Sequence, residues 1–293
     1  MLNKGLLRRL VEELSFIENK PSKILKVDSV AGGSINHCFK IITSNKSYFI
    51  KLNSASDFPQ MFEKEAKGLR ILRGTKLIKT PLVYTCGNFA DEAYLIMEFI
   101  NSSIKPSNFW ENFGRQLADL HTISNNHFGL DHDNYIGSLK QPNTKNEDWI
   151  SFFIEERINP QLKMALNQGV FSSKISQDFE KLFAKLENYF PKEKPSLLHG
   201  DLWSGNFMVG DKGEAIIMDP AVYFGHREVD LAMTQLFGGF HPDFYAAYHE
   251  ALPMEHDWEE RLRLYNLYPL LVHVNLFGGS YINKVKNILQ RFI

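Results

Sequence analysis

The feature that most constrains the fold is a change in hydrophobic pattern near residue 100. After an opening amphipathic helix at residues 6–14 come short segments rich in β-branched and aromatic residues, KILKVDSV, NHCFKIITS and SYFIKLN, which turn residues separate. A helix at residues 59–73 and a hairpin ending in YLIMEFI follow, and beyond them the apolar residues recur at helical spacing. The pattern predicts an α+β fold with two lobes: a small antiparallel β lobe with one main helix over residues 1–100, and a larger, mostly helical lobe over residues 101–293.

Charge and cysteine content exclude several classes of protein. The 33 basic and 34 acidic residues leave a formal net charge of −1, which argues against a dedicated nucleic-acid binder. The two cysteines, Cys38 and Cys86, form no CxxC pair, so we expect neither a disulfide framework nor a cysteine zinc site. No segment approaches the ~20 apolar residues of a membrane-spanning helix. We therefore expect a cytoplasmic protein with no nucleic-acid or membrane partner.

The most informative stretch is LLHGDLWSGNFMVGDKGEAIIMDP, at residues 197–220. Its GDKG segment is typical of a hairpin turn between two short strands. Such a hairpin brings Asn206 and Asp219 side by side, at the end where Asp201 also emerges. Two carboxylates and one amide oxygen would then converge, and such oxygen ligands suit Mg²⁺ bound together with substrate phosphates.

The spacing Asp201-x-x-x-x-Asn206 matches the catalytic loop HRDxxxxN of protein kinases. In that loop the aspartate receives the proton of the substrate hydroxyl and the asparagine holds a metal ion. Asp201 is therefore the candidate base, and Asn206 and Asp219 are the candidate metal ligands. The alternative is structural: Asp201 caps a turn and Asp219 ends a strand. That explanation is plausible for one aspartate alone, but it explains three matched residues on one hairpin less well.

The first lobe offers an independent sign of the same chemistry. Lys51 lies in the strand YFIKLN, and Glu65 falls on the apolar stripe of the next helix with Phe62, Leu69 and Leu72. An inward carboxylate is costly unless it is paired, and Lys51 is the expected partner. A pair of this kind positions the phosphates of ATP in kinases. The alternative is that Glu65 lies at the edge of the stripe and reaches water.

Two further segments are candidates for contact with the nucleotide. The glycine loop AGGSI lies between two strands, where its backbone N–H groups could bind phosphates, and its candidate residues are Gly32, Gly33 and Ser34. The strand YLIMEFI leads into the connection between the lobes, where backbone groups usually read adenine. Its candidate residues are Met97, Glu98, Phe99 and Ile100.

Beyond this general kinase pattern, nearly the whole chain resembles the fructosamine kinase family. The resemblance rests on HGDLWSGN, DPAVYFGHREVDLA, FGGFHPDFYAAYHE and RLRLYNLYPLLVHVNLFGG, and extends to AGGSIN, FIKLN, MFEKEAKGL, LIMEFI, FGLDHDNYIGSLKQPN and DWISFFIEERINPQL. HGDxxxxN alone marks the broader superfamily, which includes aminoglycoside and choline kinases. The combination of DLWSGN, DPAxxxGHxExDLA and FGGF is much narrower.

The resemblance implies a bilobal, protein-kinase-like fold and ATP- and Mg²⁺-dependent phosphorylation of the 3-hydroxyl of ketoamines, either small molecules or protein-bound adducts. It gives Asp201 the position of the base, Asn206 and Asp219 those of metal ligands, and Lys51 and Glu65 that of the phosphate-positioning pair. It further implies that Asp230 and His199 brace the catalytic loop. One departure is Ser34, where many members carry a cysteine, so redox switching through the glycine loop is not expected.

The acceptor side is less constrained by the sequence. Trp203 follows Asp201 by two residues and could pack on a sugar ring or its ammonium group, the alternative being a core tryptophan that braces the loop. Arg157, in the helical segment DWISFFIEERINPQL, is a second candidate for binding the acceptor, with a structural salt bridge as the equal alternative. His273 and Asn275 interrupt an apolar helix and are expected to be core residues.

Two competing functions remain open at this point. One is a kinase for another small hydroxylated acceptor, such as an aminoglycoside, an amino alcohol or a free sugar. The other is a pseudokinase that binds nucleotide without turnover, against which the intact Asp201, Asn206, Asp219, Lys51 and Glu65 argue. The choice among adducts derived from fructose, ribulose and erythrulose stays open, and so does the choice between free and protein-bound adducts.

Overall fold

The computed structural model describes residues 2–31 and 35–293, and these fall into two compact units. The first comprises the chain up to Pro106 together with Met208–Asp219, and the second comprises Ser107–Phe207 and Pro220–Ile293. The segment Met208–Asp219 belongs to the first unit because its strand bridges to the backbone of Lys79, whose carbonyl accepts the N–H of Ile217 at 2.9 Å. The sequence placed this segment in the second lobe, since the bridge joins residues far apart in the chain.

The first unit is built on one antiparallel sheet of five strands in the order β1-β2-β3-β5-β4. The strands are β1 Ile24–Val30, β2 His37–Thr43, β3 Ser47–Ser54, β4 Val83–Phe89 and β5 Glu92–Glu98, and the helices of this unit are α1 Lys4–Glu18 and α2 Met61–Thr75. The expected antiparallel β region with one main helix after its third strand is thus confirmed.

Alternation along the strands divides the core of this unit between the two faces of the sheet. Leu6, Leu10 and Leu14 of α1 pack against one face, with Tyr48 and Ile50 of β3. Helix α2 covers the other face, where the core consists of Phe62, Ala66, Leu69, Ala93, Leu95 and Met97. Successive strand residues point to opposite faces of the sheet. Because Ile50 faces α1, the next residue, Lys51, lies on the face that α2 covers.

The second unit is mostly helical. Its helices are α3 Phe109–His121, α4 Trp149–Phe152, α5 Asn159–Asn167, α6 Ser173–Phe183, α7 Glu228–Leu236, α8 Pro242–Ala251, α9 Trp258–Tyr265, α10 Leu267–Phe277 and α11 Tyr281–Phe292. A π-helical turn, Phe153–Ile158, joins α4 to α5. No helix among the described residues combines the length and apolarity that crossing a membrane requires.

Short antiparallel strand pairs lie between these helices along the chain. Strand β6 (Asn134–Ile136) pairs with β7 (Leu139–Gln141), β8 (Ser196–Leu198) with β11 (Tyr223–Gly225), and β9 (Phe207–Val209) with β10 (Ala215–Ile217). The hairpin expected around GDKG is therefore present as β9 and β10, with the Gly210 N–H donating to the Glu214 carbonyl at 2.8 Å.

Helices α3 and α8 approach so closely that one position between them has no room for a side chain. A Cβ atom on Gly114 of α3 would lie 2.2 Å from the carbonyl oxygen of Phe244 in α8. Beside this contact, the ring of Phe113 packs edge-on against that of Phe244, with ring centroids 5.3 Å apart. Main-chain atoms of α8 cannot yield as a flexible side chain would, so the glycine sets the distance between the helices.

We expect Gly114→Ala to push the two helices apart and to lower the free energy of unfolding by about 1–3 kcal/mol, the usual range for overpacking. Urea denaturation at neutral pH measures this loss. Gly74→Ala is the matched control, because Gly74 also lies in a helix but a Cβ there would meet nothing within 4 Å. An equal loss in both variants would show that helix contact is not the cause.

Candidate active site

The first unit holds a cluster of one buried ammonium and two carboxylates, of which that of Glu65 is buried and that of Asp219 is partly exposed. The Nζ atom of Lys51 lies 2.8 Å from Oε1 of Glu65 and 2.6 Å from Oδ1 of Asp219. The Lys51 side chain is only 4% exposed, since it lies between the sheet and α2. The expected pairing of Lys51 with Glu65 is confirmed. The contact with Asp219 was not foreseen, because the two residues are 168 positions apart.

Burial and charge compete in this cluster. Burial alone would lower the pKa of Lys51, but the carboxylates of Asp219 and Glu65 outweigh it, so the pKa of this lysine is raised. Burial is also the main cause that raises the pKa of Glu65, which the ammonium of Lys51 offsets only in part. Lys51 therefore stays charged at neutral pH, and the buried carboxylate of Glu65 depends on it for compensation.

Asp219 is held in an unusual backbone conformation. Its φ is +57°, in the left-handed region that a non-glycine residue rarely enters, although aspartate tolerates it better than most. Such conformations persist where the surrounding structure enforces them, and they cluster at functional sites. In this conformation the Asp219 carboxylate contacts the ammonium of Lys51.

In the second unit, buried side chains fix the loop that follows β8. Asp230 of α7 accepts hydrogen bonds from the N–H of His199 at 2.7 Å and of Gly200 at 2.8 Å. The His199 ring in turn accepts the N–H of Asp201 at its Nδ1, at 3.2 Å. Both side chains thus hold the loop backbone, as the resemblance implied.

Asp230 has a buried partner that the sequence did not reveal. The Nε2 atom of His121, in α3, lies 3.2 Å from the Asp230 carboxylate, and its Nδ1 lies 2.7 Å from the hydroxyl of Tyr248 in α8. Although burial would raise the pKa of Asp230, its hydrogen bonds with the His121 ring and with the Gly200 N–H help to lower it on balance. The loop is therefore tied to α3 and α8 as well as to α7.

Asn206 closes the loop on Asp201. Its Nδ2 donates to the backbone carbonyl of Asp201 at 2.7 Å and to Oδ2 of the same residue at 3.0 Å. The amide nitrogen is thus committed to Asp201, and the remaining coordinating atom of the Asn206 side chain is its Oδ1. An amide oxygen is a suitable ligand for Mg²⁺.

Trp203 is a half-buried aromatic residue on the same loop. Its indole packs over Gly205, where a Cβ atom would lie 2.4 Å from the ring, and meets Phe237 edge-on with centroids 5.7 Å apart. Phe237 in turn lies 4.8 Å from the ring of His273. His273 is mainly structural, as expected: it hydrogen-bonds the Pro269 carbonyl at 2.7 Å, and burial lowers its pKa.

Arg157 lies in the π-helical turn and is completely buried. Its guanidinium donates to the Pro142 carbonyl and to Oδ1 of Asn143, each at 2.6 Å. A side chain with 0% exposure cannot contact an acceptor. The expectation that Arg157 binds the acceptor is therefore wrong. The alternative of a salt bridge also fails within residues 2–31 and 35–293, where every partner of Arg157 is neutral.

The residues expected around the nucleotide are placed in part. Met97 is buried against α2, and Glu98 accepts the Leu82 N–H at 3.1 Å through its carboxylate. Beyond the end of β5, the Phe99 ring lies 4.0 Å from the ammonium of Lys40, and Ile100 follows it in an irregular segment. Gly32, Gly33 and Ser34 lie outside the described residues.

The fold and these two clusters define a class of protein, the kinase-like phosphotransferases. A solved aminoglycoside phosphotransferase shares the fold, with a TM-score of 0.60 at 16% identity over 96% of this chain and 98% of that one. Residues 7–293 match the family model described as fructosamine kinase, and the chain belongs to that family. It is an ATP-dependent phosphotransferase acting on hydroxyl groups.

Relatives and solved structures agree with this assignment. A crystal structure from Haemophilus somnus, provisionally named fructosamine-3-kinase, superposes with a TM-score of 0.91 at 30% identity, covering 99% of this chain and 98% of that one. A probable ketoamine kinase of Vibrio vulnificus is 38% identical over 98% of this chain and 97% of its own length. The chloroplastic protein-ribulosamine 3-kinase of Arabidopsis thaliana is 38% identical over 97% of this chain and 87% of its own.

We expect Lys51→Met to abolish activity and to lower the free energy of unfolding by about 3–5 kcal/mol at pH 7, because it leaves a buried carboxylate unpaired. Since protonation of Glu65 relieves that carboxylate, the deficit against the parent should shrink as the pH falls toward 5. Denaturation in urea at both pH values measures the deficit. Adding Glu65→Gln should restore stability without activity.

The matched control for this substitution is Lys79→Met. Lys79 forms an ion pair with Glu214 in the same unit, but its side chain is 49% exposed. We expect that variant to lose less than about 1 kcal/mol and to show no such pH effect. A Lys51→Met deficit as small as that of the control would contradict the buried cluster.

Proposed function

We propose that this protein transfers the γ-phosphoryl group of ATP to the 3-hydroxyl of a ketoamine, the adduct formed when an amine is glycated. The observation that carries the proposal is the Asp201–Asn206 pair, on a loop fixed by Asp230, in a member of the fructosamine kinase family. Two of its relatives are named after fructosamine and ribulosamine substrates, and both kinds of compound contain the ketoamine group.

Asp201 is the proposed base. The hydrogen bond from Asn206 to its Oδ2 fixes the plane of the carboxylate, so the acceptor hydroxyl can approach in one orientation. The carboxylate would take the hydroxyl proton as the oxygen bonds to phosphorus. Because phosphoryl transfer needs chiefly positioning and charge stabilisation, a pre-oriented base suits the reaction.

Lys51 and Glu65 are the proposed phosphate-positioning pair, and Asn206 and Asp219 the proposed metal ligands. Each of the latter two supplies an oxygen atom, as Mg²⁺ requires, and a small number of protein ligands suits an ion that shares its coordination with phosphates and water. Bound with ATP, Mg²⁺ supplies neutralisation of the charge on the transferring phosphate. Gly32–Ser34 and Met97–Ile100 remain the proposed nucleotide contacts.

Trp203 is the proposed acceptor wall. Gly205 beneath its ring and Phe237 at its edge hold the indole in place, two residues from Asp201. An aromatic face attracts a cation, and a ketoamine carries a secondary ammonium beside its polyol. We further propose a cytoplasmic location, which suits the free thiols of Cys38 and Cys86.

Asp201→Asn keeps the shape of the side chain but removes the base, and we expect kcat to fall about 10²–10⁴-fold. The KM for ATP should change little. Steady-state assays with a ketoamine and Mg·ATP measure both constants. The control is Asp211→Asn, which alters an exposed aspartate in the hairpin turn and should leave kcat unchanged. Turnover within a few-fold of the parent would rule out Asp201 as the base.

The choice of acceptor is tested by a panel of fructoselysine, ribuloselysine, erythruloselysine, free fructose, an aminoglycoside and choline. We expect the ketoamines to be strongly preferred. Trp203→Ala should raise the KM for them by roughly 2- to 30-fold, the factor that a cation–π energy of about 0.5–2 kcal/mol implies. Trp258→Ala, which removes a tryptophan of α9, should leave this KM unchanged. Equal efficiency with free sugars, aminoglycosides or choline would replace the ketoamine proposal with a broader small-molecule kinase.

A further inference from the structure

Arg157 is a buried cation whose hydrogen-bond partners, within the part of the chain that the structure describes, are all neutral. Its guanidinium stacks on the ring of Tyr223, 3.9 Å from the centroid, and lies 4.6 Å from that of Phe152. The other buried arginines of this unit are compensated by carboxylates, Arg261 by Glu228 and Arg227 by Glu193. A buried charge without a counter-ion is costly. A guanidinium in such surroundings therefore indicates a role that a neutral side chain could not fill.

The guanidinium begins a chain of side-chain amides, the amide network, formed by Asn134, Gln141 and Asn143. Arg157 donates to Oδ1 of Asn143 at 2.6 Å, and Nδ2 of Asn143 donates to Oδ1 of Asn134 at 3.0 Å. Gln141 donates to the same oxygen at 2.8 Å. The three amides are at most 5% exposed. Asn134 and Gln141 are register partners on β6 and β7, which brings their side chains together.

The amide network ends on the main chain of the segment before β11. Nδ2 of Asn134 donates to the carbonyl of Val222 at 2.8 Å, and Nε2 of Gln141 donates to that of Ala221 at 3.1 Å. Tyr268 of α10 donates to Oε1 of Gln141 at 2.8 Å and thereby fixes the orientation of that amide.

This segment directly supports the loop that carries Asp201. The N–H of Ala221 donates to the carbonyl of His199 at 2.9 Å, and Tyr223 pairs with Leu198 in the sheet of β8 and β11. Asp230 holds the N–H groups of His199 and Gly200. The loop is thus held by Asp230 through its N–H groups and by the Ala221 segment through a carbonyl.

Arginine can fix the direction of the amide network because its guanidinium only donates hydrogen bonds. Oδ1 of Asn143 must therefore face Arg157, which turns Nδ2 toward Asn134. Each later amide is set in the same sense, until donors meet the carbonyls of Ala221 and Val222. A side chain that could also accept would permit the reversed amide orientations, and those would leave the two carbonyls without donors.

We propose that Arg157 is a positioning residue for phosphoryl transfer, which acts through the amide network on the main chain of Ala221 and Val222 and thereby places Asp201. It touches neither nucleotide nor acceptor. The inference rests on the proposed role of Asp201 as the base. A misplacement of about 1 Å can cost about 10²-fold in rate, so small shifts of this loop should be visible in kcat.

The test compares Arg157→Gln, Arg157→Met and Gln141→Met with the matched controls Arg261→Gln and Arg261→Met. All five disturb buried polar contacts, but Arg261 contacts Glu228 and the carbonyls of Glu255 and His256 rather than the amide network. At a temperature well below each Tm, we expect the first three to lower kcat by about 10- to 100-fold with the KM for ATP within about twofold. The controls should lower Tm and leave kcat near that of the parent.

A second measurement needs no substrate. Hydrogen–deuterium exchange of the Ala221 N–H, which donates to the carbonyl of His199, should be faster in Arg157→Gln and Gln141→Met than in the parent and in Arg261→Gln. If Arg157→Met fails to fold, Tyr268→Phe, which removes one hydroxyl, takes its place and should show the same effects in weaker form.

A kcat within twofold of the parent in the folded network variants, or an equal loss in the controls, would overturn the proposal. Unchanged exchange at Ala221 would also overturn it. If the parent enzyme instead phosphorylates no ketoamine, the proposed function fails, while the exchange measurement still decides whether Arg157 holds this segment.

Discussion

A single buried ammonium joins three parts of the first unit. Lys51 reaches Glu65 on α2 and Asp219 after β10, so it connects the sheet, its covering helix and the β9–β10 hairpin. The carboxylate of Glu65, whose side chain is only 11% exposed, would be costly at its position without the cation. The cluster in turn depends on the alternation of β3, which directs Ile50 toward α1 and Lys51 toward α2. A shift of one residue in that strand would exchange the two side chains and abolish the site.

The second unit solves a similar problem with the opposite sign. There a buried carboxylate, Asp230, is surrounded by donors: two backbone N–H groups and the ring of His121. Donors rather than a counter-ion carry the compensation, and they fix a backbone loop in addition to a side chain. Each unit therefore contains a buried charged group, whose burial costs stability. In each case the residues that this group holds in place are among those proposed to act on ATP or on the acceptor.

Sequence patterns predicted the features that depend on local periodicity. The strands, helix α2, the β9–β10 hairpin and the inward position of Glu65 all follow from spacing within a few residues, and the structure has each of them. Contacts between distant elements were missed, such as Lys51 with Asp219 and His121 with Asp230. Tertiary packing decides these, and no single segment records it. Arg157 was misplaced for the same reason: its aromatic and amide partners come from four separate segments.

The buried polar groups also explain why so many of this protein's internal contacts are directional. A core of apolar side chains tolerates small shifts, because dispersion contacts have no preferred angle. A chain of amides that begins at a donor and ends at two carbonyls does not, since reversing any one amide leaves a buried group unpaired. Phosphoryl transfer needs its reacting groups closely aligned, and directional contacts suit the proposed role of Asp201 as the base better than apolar packing would. The directional hydrogen bonds around Asp230 and Arg157, which tolerate little displacement, thus support the loop that carries Asp201.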